Sequence, residues 1–390
     1  MNQPLHTITI DKLVAGGDGL GRLDDGRVVF VPDVIVGETV QVRIVETKRD
    51  FARAQLVAVD SPAPTRRVPP CRFVAESCGG CNWQHIDETA QLRMKSDIVV
   101  EAFARTARLD VDIHRRKALA DTARRTTVRM VAGDDGMLGF RQRDSHDMVA
   151  TSECVVAHDL INAFLNEPVL EGAGEITIRV GARTGEVGMW CHEGRIRSGV
   201  GTHAQRGQRA PVHEVVGDNT YRISMSSFFQ SSPEAAELLI TTLATDFDSF
   251  GVEGGTLLDA YGGVGLFSKA FATRFDELYL VESNTQACRD AVHNLEDCAA
   301  TIDEVAFEHW DPIDVDVVIA DPARDGLGKL GVATLLEVDA PVVALVSCDP
   351  VAGARDVSML VQGGYDLDRV SVLDIFPNTN HVEVVSILTK

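Results

Sequence analysis

Cys348 is the residue best placed for covalent chemistry. It lies in Ser347-Cys348-Asp349-Pro350, directly after seven mostly apolar residues, Ala340 to Val346. Such a run reads as a buried parallel strand, and open α/β sheets gather their ligands at the carboxyl ends of strands. A cysteine there attacks carbon well once it is thiolate. The plainer reading is an inert cysteine capping a core strand. Other stretches of the same kind weigh against it. Gly262-Gly263-Val264-Gly265 follows the strand-like Thr256-Leu257-Leu258-Asp259, and a glycine turn opening a helix lets backbone approach a ligand. The turn is not G-x-G-x-x-G, and an acid precedes it. That departs from the dinucleotide fingerprint and fits a binder of S-adenosylmethionine, whose amino group an acidic loop can hold. Glu282 ends a second strand, Glu277–Val281, where an acid suits ribose hydroxyls. A third strand, Val315–Ala320, ends at Asp321-Pro322-Ala323-Arg324. The last, Val382–Leu388, follows Phe376-Pro377-Asn378-Thr379-Asn380-His381.

A second cluster is Cys71-x6-Cys78-Gly-Gly-Cys81, with His85 close behind. The glycines let the backbone fold tightly, and thiolates suit zinc or an iron–sulfur cluster. A fourth ligand is needed, either His85 or Cys154. An all-cysteine set favours iron–sulfur and a histidine favours zinc. Cys191, Cys288 and Cys298 read as structural.

These residues need elements to carry them. The 390 residues suffice for two or three domains, and 45% hydrophobic residues mark a globular chain. Residues 1–60 alternate apolar and polar with closely spaced turns and no helix, which predicts five strands and a small barrel of the OB type. Gly17-Asp18-Gly19-Leu20-Gly21 superficially resembles a dinucleotide loop but leads into a strand, so that reading is rejected. The proline-rich 61–70 is a stiff linker. Residues 87–108 carry one apolar helical face, 124–250 reads as mixed α+β, and Ser232-Pro233 starts a helix. The last stretch alternates strands and helices, as in a doubly wound sheet. The expected fold is therefore a multi-domain α/β chain: a barrel over 1–61, a central α+β domain over 62–250 holding the cysteine site, and a Rossmann-like domain over 251–390.

The net charge is −21, but residues 61–143 hold 15 Lys and Arg against 10 Asp and Glu, while 151–390 hold 15 against 37. Phosphate contacts are thus expected in the N-terminal half, at Arg66-Arg67, Arg115-Arg116-Lys117 or Arg124-Arg125. A small β-barrel beside such a stretch often holds RNA. The N-terminal hexapeptide lacks a basic start and an apolar core, and no apolar run is long enough for a bilayer. A cytoplasmic location with no membrane partner is expected, and the eight cysteines then read as ligands or catalysts more than disulfides.

Over essentially its whole length the sequence resembles the 5-methyluridine RNA methyltransferase family, of the type with a TRAM domain and a [4Fe–4S] cluster. The carriers are the opening barrel, the Cys71, Cys78, Cys81 and Cys154 set, Asp321-Pro-Ala-Arg324, Ser347-Cys348-Asp349-Pro350 and Phe376-Pro-Asn-Thr-Asn-His-Val-Glu383. The resemblance implies that Cys348 is a nucleophile toward C6 of uridine and Glu383 the base that removes the C5 proton. It implies that Gln230, Tyr261, Leu266, Glu282, Asp311 and Asp321 line the methyl donor, S-adenosylmethionine, and that the four cysteines hold the cluster. It implies a monomer acting on RNA, with ribosomal RNA ahead of transfer RNA. The stretch between Glu282 and Asp321 is short and matches the family weakly. A radical S-adenosylmethionine enzyme would need Cys-x3-Cys-x2-Cys, which is absent. A zinc-stabilised RNA-binding protein with an idle methyltransferase domain would have no use for both Cys348 and Glu383. A small-molecule or protein methyltransferase would not need the barrel.

Overall fold

The computed structural model describes residues 4–122, 124–143 and 145–390; the start of the N-terminal hexapeptide lies outside them. Strands β1 (Leu5–Leu13), β2 (Gly19–Arg22), β3 (Val28–Val31), β4 (Thr39–Thr47) and β5 (Phe51–Ser61) close a barrel in the order β1-β2-β3-β5-β4. Alternate side chains, among them Ile8, Ile10, Val29, Val31, Val40 and Val42, fill its interior.

Asp87 caps helix α1 (Glu88–Ala102) by accepting from the Thr89 N–H at 3.0 Å. The expected helix over 87–108 loosens into a π-turn at Phe103–Ala107 and stops where Arg108 turns left-handed, φ 57°. Strand β6 (Ile113–Ala118) follows. A six-stranded sheet comes next, in the order β12-β11-β10-β7-β8-β9. Its members are β7 (Thr127–Ala132), β8 (Leu138–Arg141), β9 (Met148–Ala150), β10 (Gly174–Val180), β11 (Val187–Glu193) and β12 (Gln205–Arg206), with the short helix α2 (Asp159–Asn162) between β9 and β10. The hairpin β13 (Pro211–Val216) and β14 (Asn219–Ser224) leads to α3 (Pro233–Phe250), capped by Ser232.

The last stretch runs β15 (Thr256–Ala260), α4 (Leu266–Ala270), β16 (Glu277–Glu282), α5 (Thr285–Asn294), β17 (Ala300–Glu304), β18 (Val317–Ala320), α6 (Gly328–Val338), β19 (Val342–Ser347), α7 (Pro350–Gln362), β20 (Asp366–Asp374) and β21 (Glu383–Thr389). They form one sheet, β17-β16-β15-β18-β19-β21-β20-β6. The five strands from β17 to β19 are parallel, with α1, α6 and α7 on one face and α3 and α4 on the other.

Two features differ from the expectation. The sheet is mixed, because β21 runs antiparallel to both β19 and β20; the short link 375–382 closes a hairpin, whereas a parallel pair needs a long crossover. The stretch 62–250, expected as one central unit, is shared out: β6 pairs with β20 as the edge of the last sheet, and α1 packs on the same core. Among the described residues no helix is long and apolar enough to cross a membrane, and all eight cysteines are free.

Candidate active site and nucleic-acid cleft

The catalytic candidates meet at the carboxyl edge of this sheet. The ladder pairs Ser347 with Val384, so the next residue on each strand, Cys348 and Glu383, come alongside. Asp349 caps α7 by accepting from the Val351 and Ala352 N–H groups, both at 2.9 Å, and Pro350 occupies the first turn. This fixes where β19 ends and leaves the half-buried Cys348 at the turn. Asp321 follows β18 and Asp259 lies in β15.

Burial dominates the electrostatics here. It pushes Asp321 up to about 7, helped by the Asp259 charge. It pushes Asp259 up to about 6 against the two hydrogen bonds from Ser268, at 2.9 and 2.7 Å. Glu383, 3% exposed, is held well above the usual carboxylate range by burial and by Asp321. The Cys348 thiol is pushed up to about 11 by burial and by Glu383 and Asp321, with Arg324 opposing. Three acids therefore crowd one space. Among the described residues, Glu383 Oε1 and Asp259 Oδ1 are buried oxygens with no hydrogen-bond partner, which leaves the site short of positive charge and donors.

The expected donor-lining residues mostly gather at the same edge. Tyr261 adopts φ 61° and Gly263 and Gly265 are also left-handed, which turns the chain sharply from β15 into α4. The Gly263 N–H donates to Glu282 Oε2 at 3.1 Å, and Glu282 Oε1 accepts from the Asn284 N–H at 2.6 Å. Gln230 is buried and donates through Nε2 to Asp321 Oδ2 at 3.3 Å. Leu266 opens α4, its carbonyl accepting from the Tyr221 hydroxyl at 3.0 Å. Two residues that sequence reasoning missed complete this wall. The Tyr261 hydroxyl donates to Glu308 at 2.7 Å, and its ring packs on Phe307 with centroids 5.3 Å apart. Asp311, by contrast, is exposed past the Phe307–His309 turn and belongs to no strand end.

Cys71, Cys78, Cys81 and Cys154 line one pocket with Phe73, Gln84 and Phe140. Burial raises the thiols of Cys78, Cys81 and Cys154, Cys81 to about 11. The Gly79 N–H donates to the Arg141 carbonyl at 3.0 Å, and a Cβ at Gly79 would lie 2.9 Å from that oxygen. His85 points elsewhere: it is buried with Nε2 3.4 Å from the Val34 carbonyl oxygen, and burial lowers it to about 4. Among the described residues, no three His, Cys, Asp or Glu side chains approach closely enough to hold a single metal ion.

A cleft of about 610 Å³ runs between the barrel and the rest of the chain, lined by Phe30, Arg53, Trp83, Arg125, Arg143 and Asn380 among others. Gly16, Asn380 and His381 are shared with an adjoining hollow of about 520 Å³ that holds Cys348 and Arg324. Arg324 donates to His381 Nδ1 at 2.8 Å. The expected phosphate-binding arginines are largely committed elsewhere. Arg66 is paired with the buried Glu38, Arg67 with Asp121 and Asn378, Arg115 with Asp246 and Arg124 with Glu234. Of those stretches Arg125 lines the cleft, beside Arg53 and Arg143, which pair with Asp18 and Asp33 on its wall.

A sheet with five parallel strands, a glycine turn after the central β15, acids at the ends of β16 and β18 and a cysteine after β19 marks an α/β methyltransferase, here fused behind a β-barrel. The barrel matches the TRAM domain model over residues 6–57. The chain is 32% identical to an uncharacterized RNA methyltransferase of Streptomyces coelicolor, over 98% of this chain and 92% of the relative. It is 29% identical to the 23S rRNA (uracil(1939)-C(5))-methyltransferase of Chromohalobacter salexigens, over 98% and 89%. The solved structure of Pyrococcus abyssi tRNA (uracil-54, C5)-methyltransferase, in complex with S-adenosyl-L-homocysteine, superposes with a TM-score of 0.73 at 25% identity, covering 98% of this chain and all of that one. The chain belongs to the TRAM-containing RNA methyltransferase family.

Proposed function

We propose that this enzyme methylates C5 of uridine in RNA, with Cys348 as nucleophile and Glu383 as base. The observation that carries the reading is the pairing of β19 with β21, which sets a half-buried cysteine beside a buried carboxylate whose Oε1 has no partner. C5 of uracil is a poor nucleophile. Addition of the Cys348 thiolate to C6 forms a C–S bond and moves the C5=C6 electrons toward the C4 carbonyl, which makes C5 enolate-like. C5 then takes a methyl group. Glu383 removes the remaining C5 proton, the double bond re-forms and the thiolate is expelled. When bound, S-adenosylmethionine would supply the methyl group on a sulfonium cation, which suits the space crowded by Asp259, Asp321 and Glu383. Gln230, Tyr261, Leu266, Glu282 and Asp321 would hold it, and Asp311, exposed in its loop, has the least support in this role. The uridine must leave its stack to reach Cys348, and the arginine-lined cleft would grip the flanking strand.

The four cysteines would suit a [4Fe–4S] cluster rather than a zinc ion, because all four candidate ligands are thiols and His85 is turned away. With every iron so ligated, the cluster's role is structural. Ribosomal RNA is placed ahead of transfer RNA as substrate; the rRNA-modifying relative supports it, and the tRNA-modifying structure supports the second reading. Covalent trapping tests the mechanism. With 5-fluorouridine in the RNA, C5 cannot lose a proton, so the Cys348 adduct should survive a denaturing gel and vanish in Cys348→Ala. Whichever RNA traps names the substrate class. A donor-binding protein that traps neither RNA would sink the reading.

A further inference from the structure

We propose that Asn82 is a positioning residue for methyl transfer, its carboxamide holding Asn380 and with it the loop that leads into Glu383. This rests on the function proposed above. The loop 375–382 has little internal support beyond Thr379, which donates to the Phe376 carbonyl at 2.7 Å and accepts from the His381 N–H at 3.2 Å. It is held from outside, by residues nearly 300 positions earlier in the chain. Asn82 Nδ2 donates to Asn380 Oδ1 and the Asn380 N–H donates back to Asn82 Oδ1, both at 2.9 Å. The Trp83 N–H donates to the Asn378 carbonyl at 2.9 Å, and the Asn378 N–H donates to Gln91 Oε1 at 2.8 Å. Asn378 itself is left-handed, φ 65°, a conformation that needs such support.

The barrel closes this junction from the other side. Gly17 has φ 88°, and a Cβ there would lie 2.5 Å from Asn380 Cβ and 2.9 Å from Trp83 Nε1. The barrel turn therefore seats directly on Asn380 and Trp83, and only glycine fits. Asn380 lines both the arginine cleft and the Cys348 hollow, while Asn82 lines the cleft alone. Asn82 does not reach the reacting atoms. It sets the register between the groove that would hold RNA and the strand that carries Glu383, and errors of about 1 Å in such geometry can cost 10²-fold in rate.

The test compares full-length wild type, N82A, N82D and N380A. The readouts are steady-state uridine methylation and the rate of adduct formation with 5-fluorouridine RNA. N82A should lower kcat about 10- to 100-fold, with KM for RNA and for S-adenosylmethionine near wild type. N82D should stay within about threefold, because once the Asn380 amide turns over, the carboxylate accepts from both Asn380 N–H groups. N380A keeps the backbone bond alone and should fall between them; it also serves should N82A fail to fold. An unchanged kcat in N82A and N380A would overturn the proposal, as would equal losses in N82A and N82D, or a loss confined to the RNA KM. If wild type forms no adduct, the uridine-C5 reading fails; if wild type traps and the variants trap as fast, only the role of Asn82 fails.

Discussion

At the level of single residues, the site is a concentration of acids that cannot all ionise. Asp321 makes this measurable. Its carboxyl is raised from the ordinary 3.8 to about 7 in the folded chain. Below about 4 it is protonated folded or unfolded. Between about 4 and 7 only the folded form keeps the proton, so stability attributable to this group falls as pH rises through that window and levels off above it. Asp321→Asn removes the effect. Thermal unfolding of the ligand-free variant should show a melting temperature that climbs relative to wild type from pH 4 to pH 7 and then runs parallel; a difference independent of pH would contradict it. Cys348 stood out in the sequence because it follows the abrupt end of an apolar strand, whereas Glu383, at the start of β21, was singled out only through the family resemblance. Glu308 and Phe307 were not singled out. They reach Tyr261 across a turn whose register no local pattern reveals, and the same stretch led to the expectation for Asp311 that its exposed position does not support.

At the level of elements, the segment Cys71–Gln84 does two jobs. It brings three cysteines to the pocket that Cys154 completes, and its Asn82 and Trp83 hold the loop before β21. The cluster proposed for it should appear as about four iron and four sulfide per chain with absorbance near ~400 nm, and Cys154→Ala should lower both. Stoichiometric zinc without sulfide would overturn the assignment. The barrel and the alternating strands and helices could be read because apolar period and turn residues agree locally. The β20–β21 hairpin could not, since β20 begins Asp366-Leu-Asp-Arg369 and reads as polar at its exposed end. Spacing left the fourth ligand open between Cys154 and His85, and only the resemblance favoured Cys154; in the fold His85 faces the Val34 carbonyl.

At the level of the whole molecule, charge is partitioned in a way that net charge conceals. An acidic C-terminal body carries the donor side, while arginines reach the cleft from the barrel and from the stretch that follows it. Arg125 is the clearest test. Arg125→Ala should weaken RNA binding, and the slope of log Kd against log salt should shrink by about 0.7, the value for one single-strand phosphate contact. An unchanged slope would move the RNA path off this cleft. Of the basic stretches singled out in the sequence, Arg124-Arg125 brings Arg125 to the cleft. Arg66, Arg67 and Arg115 each pair with a carboxylate away from the cleft, whereas Arg53 and Arg143 pair with Asp18 and Asp33 on its wall.

Strand β6 has one more consequence. It takes its place at the sheet edge beside β20, which is made some 250 residues later. On a ribosome the barrel can close as soon as its five strands emerge, because its contacts are local. Ala90, Met94 and Ile98 of α1 can pack on the barrel at once, but β6 and the side of α1 that carries Val99 and Ala102 must wait until much more of the polypeptide has been synthesised. A chain cut short before β20 would therefore leave β6 as an unpaired edge, inviting aggregation. Birth order makes the C-terminal body the last part to fold and the part that completes the surroundings of β6, while the six-stranded sheet β7–β12 has a core of its own.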